Sequence, residues 1–110
     1  MMGQNPSLGR IVVYTLTEDD AFAITRRRRG GREEGTAVAS INMVVGNVVH
    51  AGDEFPMTIT SVAPDASING QVWLDGSDTF WAQGVIAGVG GGTWRWPDEH
   101  RRTSTARAER

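Results

Sequence analysis

The sequence contains no cysteine and no lysine, and it has only two histidines and one tyrosine among 110 residues. Without cysteine there is no disulfide framework and no cysteine-bound zinc site. Without lysine there is no P-loop, which needs Gly-Lys-Ser/Thr, and no amine for Schiff-base chemistry. Two histidines leave few ligands for a metal ion. Glycine, by contrast, is abundant with 14 residues, which indicates a turn-rich and mainly β chain.

Positive charge and long apolar runs are also scarce. Eleven arginines stand against thirteen acidic residues, for a net charge of −2, and this balance disfavours nucleic acid as a partner. The longest apolar run, residues 41–49, is interrupted by polar residues and glycine, and it is far shorter than the roughly 20 residues that cross a bilayer. Residues 1–9 lack the features of a signal peptide. We therefore expect no membrane contact and a cytoplasmic location; a virion component would have the same features.

The length suits one domain, which we place at residues 10–97, between a flexible lead (1–9) and a disordered tail (98–110). Strands are predicted from β-branched and aromatic residues and from alternating hydrophobicity. They cover residues 10–16, 55–62, 71–74, 79–85 and 93–96, with shorter extended pieces at 41–45 and 48–49. Asp75-Gly76 predicts a hairpin turn between two of these strands.

One helix is predicted at residues 18–29. Thr17 is a suitable N-cap, and the acids at 18–20 favour the positive end of the helix dipole. Gly30 and Gly31 follow an arginine-rich last turn and end the helix. About five short strands with a helix after the first predict a mainly β fold, a small SH3-like barrel or sandwich. The alternative is a bent, open antiparallel sheet with the helix across one face.

Three segments carry a resemblance to known sequences: residues 46–56 (GNVVHAGDEFP), 71–82 (QVWLDGSDTFWA) and 92–97 (GTWRWP). Together with Gly9-Arg10-Ile11-Val12 and the arginine-rich helix end, they resemble a family of small proteins common in actinobacteriophages and prophages, over residues 9–97. The third motif of that family usually reads GTWHWP, so Arg95 stands in place of a histidine. The resemblance implies a phage-encoded structural or accessory protein, and it brings no enzymatic activity with it.

The four tryptophans are the first candidate site. Trp73 and Trp81 lie on the two arms of the predicted hairpin, and Trp94 and Trp96 share one face of the last strand. Large rings are typical of a core, but they also form surfaces that stack on a ligand or bind a partner. If an anionic ligand is bound, we expect it at Arg95 and the glycine loop 88–92, whose backbone amides suit a phosphate.

The second candidate is a basic patch that comprises Arg26, Arg27, Arg28, Arg29 and Arg32. It is typical of a solvated helix end, but it would also suit nucleic acid or an acidic partner. Residues 46–97 carry an excess of acids, so the two halves of the chain are complementary in charge, which would suit an oligomer. We expect Asp75 and Asp78 to hold turn amides rather than to act as an acid–base pair, and His50, Asp53 and Glu54 to form a solvated turn rather than a metal site.

These observations predict a protein that acts by binding and not as an enzyme, with no cofactor and no metal. The expected partner is a second copy of the chain or a phage structural protein, in the host cytoplasm or the virion. The alternative is an accessory protein that counters or redirects its host and binds a small anionic ligand such as a nucleotide signal. Binding of nucleic acid through the arginine run is disfavoured but stays open.

Overall fold

The computed structural model of the protein describes residues 5–30 and 45–98. Residues 1–4 of the predicted lead, most of the predicted piece at 41–45, Arg32 and residues 99–110 of the predicted tail lie outside this part of the chain. Within it the elements follow the order β1 (Ile11–Thr15), α1 (Glu18–Arg28), β2 (Glu54–Val62), β3 (Ile68–Trp73), β4 (Thr79–Ala87) and β5 (Thr93–Arg95).

The five strands form a closed barrel in the order β1-β2-β3-β4-β5. The predicted small β-barrel with a helix after its first strand is confirmed, and the open sheet is not formed. Neighbouring strands are antiparallel from β1 to β4 and between β5 and β1. The barrel closes between β4 and β5 through a short parallel pairing, Ile86 with Thr93 and Ala87 with Trp94. The predicted extended piece at 48–49 is not a strand.

Alternation along the strands places the core inside the barrel. Val12 and Tyr14 of β1 face inward, as do Met57 and Ile59 of β2 and Val72 of β3. Each such large side chain contributes about 1.5–3 kcal/mol when it is fully buried. On β1 the residues between them face outward, as the alternation of a β-strand requires. Register shifts interrupt this alternation in the β2–β3 and β3–β4 pairings.

Helix α1 begins with a capping box. The Thr17 hydroxyl accepts a hydrogen bond from the Asp20 backbone N–H (2.9 Å), and the Asp20 carboxylate accepts one from the Thr17 N–H (3.0 Å). The residues at positions 21, 24 and 28 share one face of the helix, and all three are buried. Ile24 is completely buried in the same core as the strands.

The two ends of α1 are held near opposite ends of β4. Before the helix, the Thr15 carbonyl accepts a hydrogen bond from Gly92 in the loop that leads to β5 (2.7 Å). At the other end, Arg28 bonds to Asp78, which directly precedes β4. The helix is therefore anchored on both sides to segments that precede and follow β4.

The connection between β3 and β4 is a hairpin, as predicted. It runs over residues 74–78, and the backbone of Gly76 does not adopt a left-handed conformation. Instead Gly76 forms a bridge with Gly46, where two loop backbones cross. A Cβ atom on Gly76 would lie 2.3 Å from the Val45 carbonyl oxygen. Glycine is required here for close approach of two backbones rather than for turn geometry.

Candidate functional site

The structure separates the four tryptophans into two pairs. Trp94 is buried in the core, and Trp96 packs against that core. Their rings meet edge to face, with centroids 5.2 Å apart and an interplanar angle of 85°. The Arg10 guanidinium lies over the Trp96 ring, 4.8 Å from its centroid. Trp73 and Trp81 lie on the outside of the barrel, and each is 51% exposed.

Strand register places Trp73 and Trp81 on one surface. Trp73 pairs with Thr79, and Trp81 pairs with Gln71, so the two rings are diagonal neighbours on the same side of the β3–β4 pair. The Trp73 indole N–H donates a hydrogen bond to the Thr58 hydroxyl on β2 (2.8 Å). This bond holds the Trp73 ring against the neighbouring strand.

The same surface continues over four strands. Ile11 pairs with Thr58, Thr58 pairs with Gln71, and Gln71 pairs with Trp81. A second row contains Val13, which pairs with Pro56, and Trp73, which pairs with Thr79. We name this surface the outer face and define it by eight residues: Ile11, Val13, Pro56, Thr58, Gln71, Trp73, Thr79 and Trp81.

None of the eight residues of the outer face is charged. Charge begins at its margin, where Arg95 of β5 pairs in register with Val13 and where Glu54 precedes Phe55 and Pro56 on β2. Exposed aromatic rings on an uncharged surface are typical of an interaction site, because most of a protein's surface carries charged residues of both signs.

Arg95, the predicted anion-binding residue, is buried and forms an ion pair with Glu54. The glycine loop that was predicted to act with it serves the fold in two ways. Gly92 bonds to Thr15, and the Thr93 hydroxyl donates to the Gly90 carbonyl (2.6 Å). The guanidinium of Arg95 therefore already has an anionic partner within the chain.

The arginines of the predicted basic patch differ in their exposure and in their contacts. Arg28 has a side chain only 2% exposed, and it donates to both carboxylate oxygens of Asp78 (3.0 and 2.9 Å) and to the Asn47 carbonyl (2.7 Å). Arg27 donates to the same carboxylate (2.6 Å). Arg26 is exposed, and Arg29 is partly buried. The patch thus contains two arginines that tie the helix to the barrel.

Asp75 and Asp78 do not face each other as a pair. Asp78 accepts from the two arginines, while Asp75 accepts from the side-chain amide of Asn47 (2.6 Å). Partial burial would raise the pKa of Asp78, but the hydrogen bonds and positive charges of Arg28 and Arg27 outweigh it and lower that pKa. The carboxylate is therefore held ionised as a structural counter-ion.

The segment around His50 forms a turn. The Asp53 carboxylate accepts a hydrogen bond from the His50 backbone N–H (2.8 Å), and His50 is exposed. Among residues 5–30 and 45–98, no three His, Cys, Asp or Glu side chains are grouped so that they could hold a metal ion. In the same part of the chain, no helix is long and apolar enough to cross a membrane.

Sequence reasoning missed the extent of the outer face and the partners of the arginines. Alternation in β1 would have placed Ile11 outward, opposite to Val12, but its alignment with Thr58, Gln71 and Trp81 depends on strand register. Neither the contact of Asp78 with Arg28, 50 residues apart, nor that of Glu54 with Arg95 has a local signal in the sequence.

Comparisons with protein-family models, with curated proteins and with solved structures find no match to this chain.

Proposed function

We propose that this chain is a non-enzymatic protein-binding module that serves as a phage structural or assembly component, in the host cytoplasm or the virion. The observation that carries the proposal is the outer face, where two half-exposed tryptophans lie on an uncharged surface across four strands. The buried centres of protein interfaces are depleted of charge and enriched in tryptophan. The phage setting rests on the sequence resemblance of residues 9–97.

The contacts of the charged residues favour binding over catalysis. The Asp78 carboxylate is paired with Arg27 and Arg28, and the Glu54 carboxylate is paired with Arg95. A catalytic acid or base needs a pKa near the working pH, whereas the pKa of Asp78 is lowered. These groups are suited to holding the barrel together.

The alternative of a small anionic ligand has less support. It needs a cation beside an aromatic surface, and the outer face offers aromatic rings without a cation. Arg95, at the margin of that face, is buried and paired with Glu54. Nucleic acid is disfavoured for a related reason, because its affinity depends on cations that neutralise phosphates, and Asp78 already offsets one of the two positive charges of Arg27 and Arg28.

Native mass spectrometry combined with cross-linking tests the proposal. The wild-type chain is produced in a host that carries the corresponding phage or prophage, and it is compared with the double variant Trp73→Ser/Trp81→Ser. Because the outer face contains no lysine, cysteine or carboxylate, a photo-reactive amino acid placed at Thr79 supplies the cross-links. We expect protein–protein cross-links there that the double variant loses while it keeps its melting temperature. A reproducible small-molecule adduct without any protein partner would contradict the proposal and support the ligand-binding alternative.

A further inference from the structure

We propose, resting on the function above, that the outer face binds the outer face of a second copy of this chain across a two-fold axis. In such a contact each surface meets itself, so a residue near the axis lies close to its own copy. Each residue of the outer face must therefore tolerate contact with the same face of a second copy. Three properties of the face meet that requirement.

The first property is the absence of charge. A carboxylate or guanidinium near a two-fold axis meets an identical charge, and like-charge juxtaposition is strongly unfavourable in an interface. The eight residues of the outer face carry no charge, although 22% of the whole sequence is charged. Charged side chains lie outside these eight residues: Asp78 pairs with Arg27 and Arg28, and Glu54 and Arg95 pair with each other at the margin of the face.

The second property is the type of polar group. The polar side chains of the outer face are Thr58, Gln71 and Thr79, and each carries both a hydrogen-bond donor and an acceptor. A hydroxyl or an amide can therefore bond to a second copy of itself. Carboxylates accept only and guanidinium groups donate only, so neither can bond to its own copy. The polar groups of this face are compatible with a symmetric contact without a differently charged partner.

The third property is preorganisation of the aromatic anchors. The Trp73 ring is held by its bond to Thr58, and Trp81 lies diagonally beside it. Rigid aromatic anchors lose little side-chain freedom on binding. Eight residues are fewer than the roughly 20–30 that each partner uses in a standard interface. We therefore expect a weak dimer that dissociates in the micromolar range.

A charge-swap experiment at Gln71 tests the inference on the full chain. Gln71 lies between Thr58 and Trp81, at an inner position of the first of the two rows of the face, and Gln71→Glu keeps the shape of the side chain. Sedimentation velocity is measured from low micromolar to hundreds of micromolar protein for wild type, Gln71→Glu, Gln71→Arg and an equimolar mixture of the two variants. The matched controls are Ala23→Glu and Ala23→Arg, which introduce the same charges at an exposed position of α1.

We expect the wild type and both Ala23 variants to shift from monomer to dimer with increasing concentration. Each Gln71 variant alone should dimerise at least tenfold more weakly, and the mixture should recover dimers because opposite charges then meet. Trp81→Ser, with its melting temperature checked, should weaken dimerisation without changing any charge. A dimer that the Gln71 and Trp81 changes leave intact would overturn the inference, as would a wild type that stays monomeric throughout.

Failure of this inference is distinguishable from failure of the proposed function. If the wild type is monomeric but the outer face cross-links to a different protein and loses those cross-links in Trp73→Ser/Trp81→Ser, the face binds a heterologous partner. The module proposal then stands and the second-copy inference fails. Salt-dependent binding of single-stranded DNA or RNA by the wild type, abolished by the same double variant, would overturn both.

Discussion

At the scale of single residues, Arg28 has a different environment in the structure from the one that its sequence context predicts. It belongs to a run of four arginines that is typical of a solvated helix end, yet its side chain is buried and makes contacts with two loops, at Asn47 and Asp78. Arg26 lies two residues earlier on the same helix and is exposed. The two arginines are therefore a matched pair for measuring what burial and pairing contribute.

We expect Arg28→Ala to lower the free energy of unfolding by about 3 kcal/mol, because it leaves the partly buried carboxylate of Asp78 without its two-pronged partner. Arg26→Ala should change that free energy by no more than about 0.5 kcal/mol, as is usual for exposed positions. Urea unfolding at neutral pH measures both. Equal effects of the two substitutions would show that the contacts of Arg28 do not stabilise the fold.

Tyr14 is the only tyrosine of the chain, so its ionisation can be followed without overlap from other tyrosines. Burial raises its pKa, and the hydrogen bond from its hydroxyl to Asp20 (2.5 Å) raises it further. We expect the tyrosinate absorbance of the folded protein to rise only at a pH well above the ordinary value of about 10.

Because the pKa of Tyr14 is raised in the folded state, its contribution to stability is complete below about pH 10 and is lost as the pH rises toward the folded-state value. The free energy of unfolding should therefore fall in alkaline solution, and Tyr14→Phe should weaken this dependence. A tyrosine that titrates near pH 10 while the protein is still folded would contradict the burial of Tyr14 and its contact with Asp20.

At the scale of elements, the crossing of two loops is the feature most sensitive to a single methyl group. Gly46 and Gly76 form a bridge, and an added Cβ at either position would meet backbone atoms at less than 3 Å. The crossing is further held by the Asn47 N–H, which donates to the Asp75 carbonyl (2.9 Å). Because backbone atoms lie on both sides of this contact, neither loop can easily move to make room for an added side chain.

We expect Gly76→Ala to lower the free energy of unfolding by about 1–3 kcal/mol, the usual cost of forcing extra volume into a packed site. Gly90→Ala is the matched control, because a Cβ there meets no atom within 4 Å and its φ is not in the left-handed region. It should change stability by no more than about 0.5 kcal/mol. Thermal melting followed by circular dichroism compares the two; similar losses would argue against the crossing.

The elements themselves could largely be predicted from local sequence. Thr17 is the expected N-cap of the helix, and it could be predicted because capping depends on residues only three apart. The strand at Glu54–Val62 follows its alternation. The Asp75-Gly76 pair shows the limit, because it predicted the hairpin correctly but not the role of its glycine. The glycine is needed for contact with Gly46, and that contact is not visible within a short window of sequence.

At the scale of the whole molecule, Asp78 joins three parts of the chain: helix α1 through Arg27 and Arg28, the loop at Asn47 through Arg28, and the start of β4 through the backbone. Because the arginines lower the pKa of Asp78 in the folded state, this stabilisation is present above the unfolded-state pKa of about 3.9 and is lost as the pH falls through the folded-state value.

We expect Asp78→Asn to be less stable than the wild type at neutral pH, and the difference in the free energy of unfolding to shrink as the pH is lowered toward about 2. Urea unfolding of both proteins across this range provides the measurement. A difference that is independent of pH would mean that shape, and not the charge of Asp78, accounts for the effect of the substitution.

The sequence by itself determined the mainly β composition, the position of the helix, its cap and the alternation of each strand, since these depend on residues within a few positions of one another. The tertiary structure alone decided which tryptophans are core and which are exposed, and which carboxylates pair with the arginines. It also decided that Ile11, Thr58, Gln71 and Trp81 lie in one row. The physical reason is register: closure of the barrel aligns residues from distant parts of the chain, and no local preference encodes that alignment.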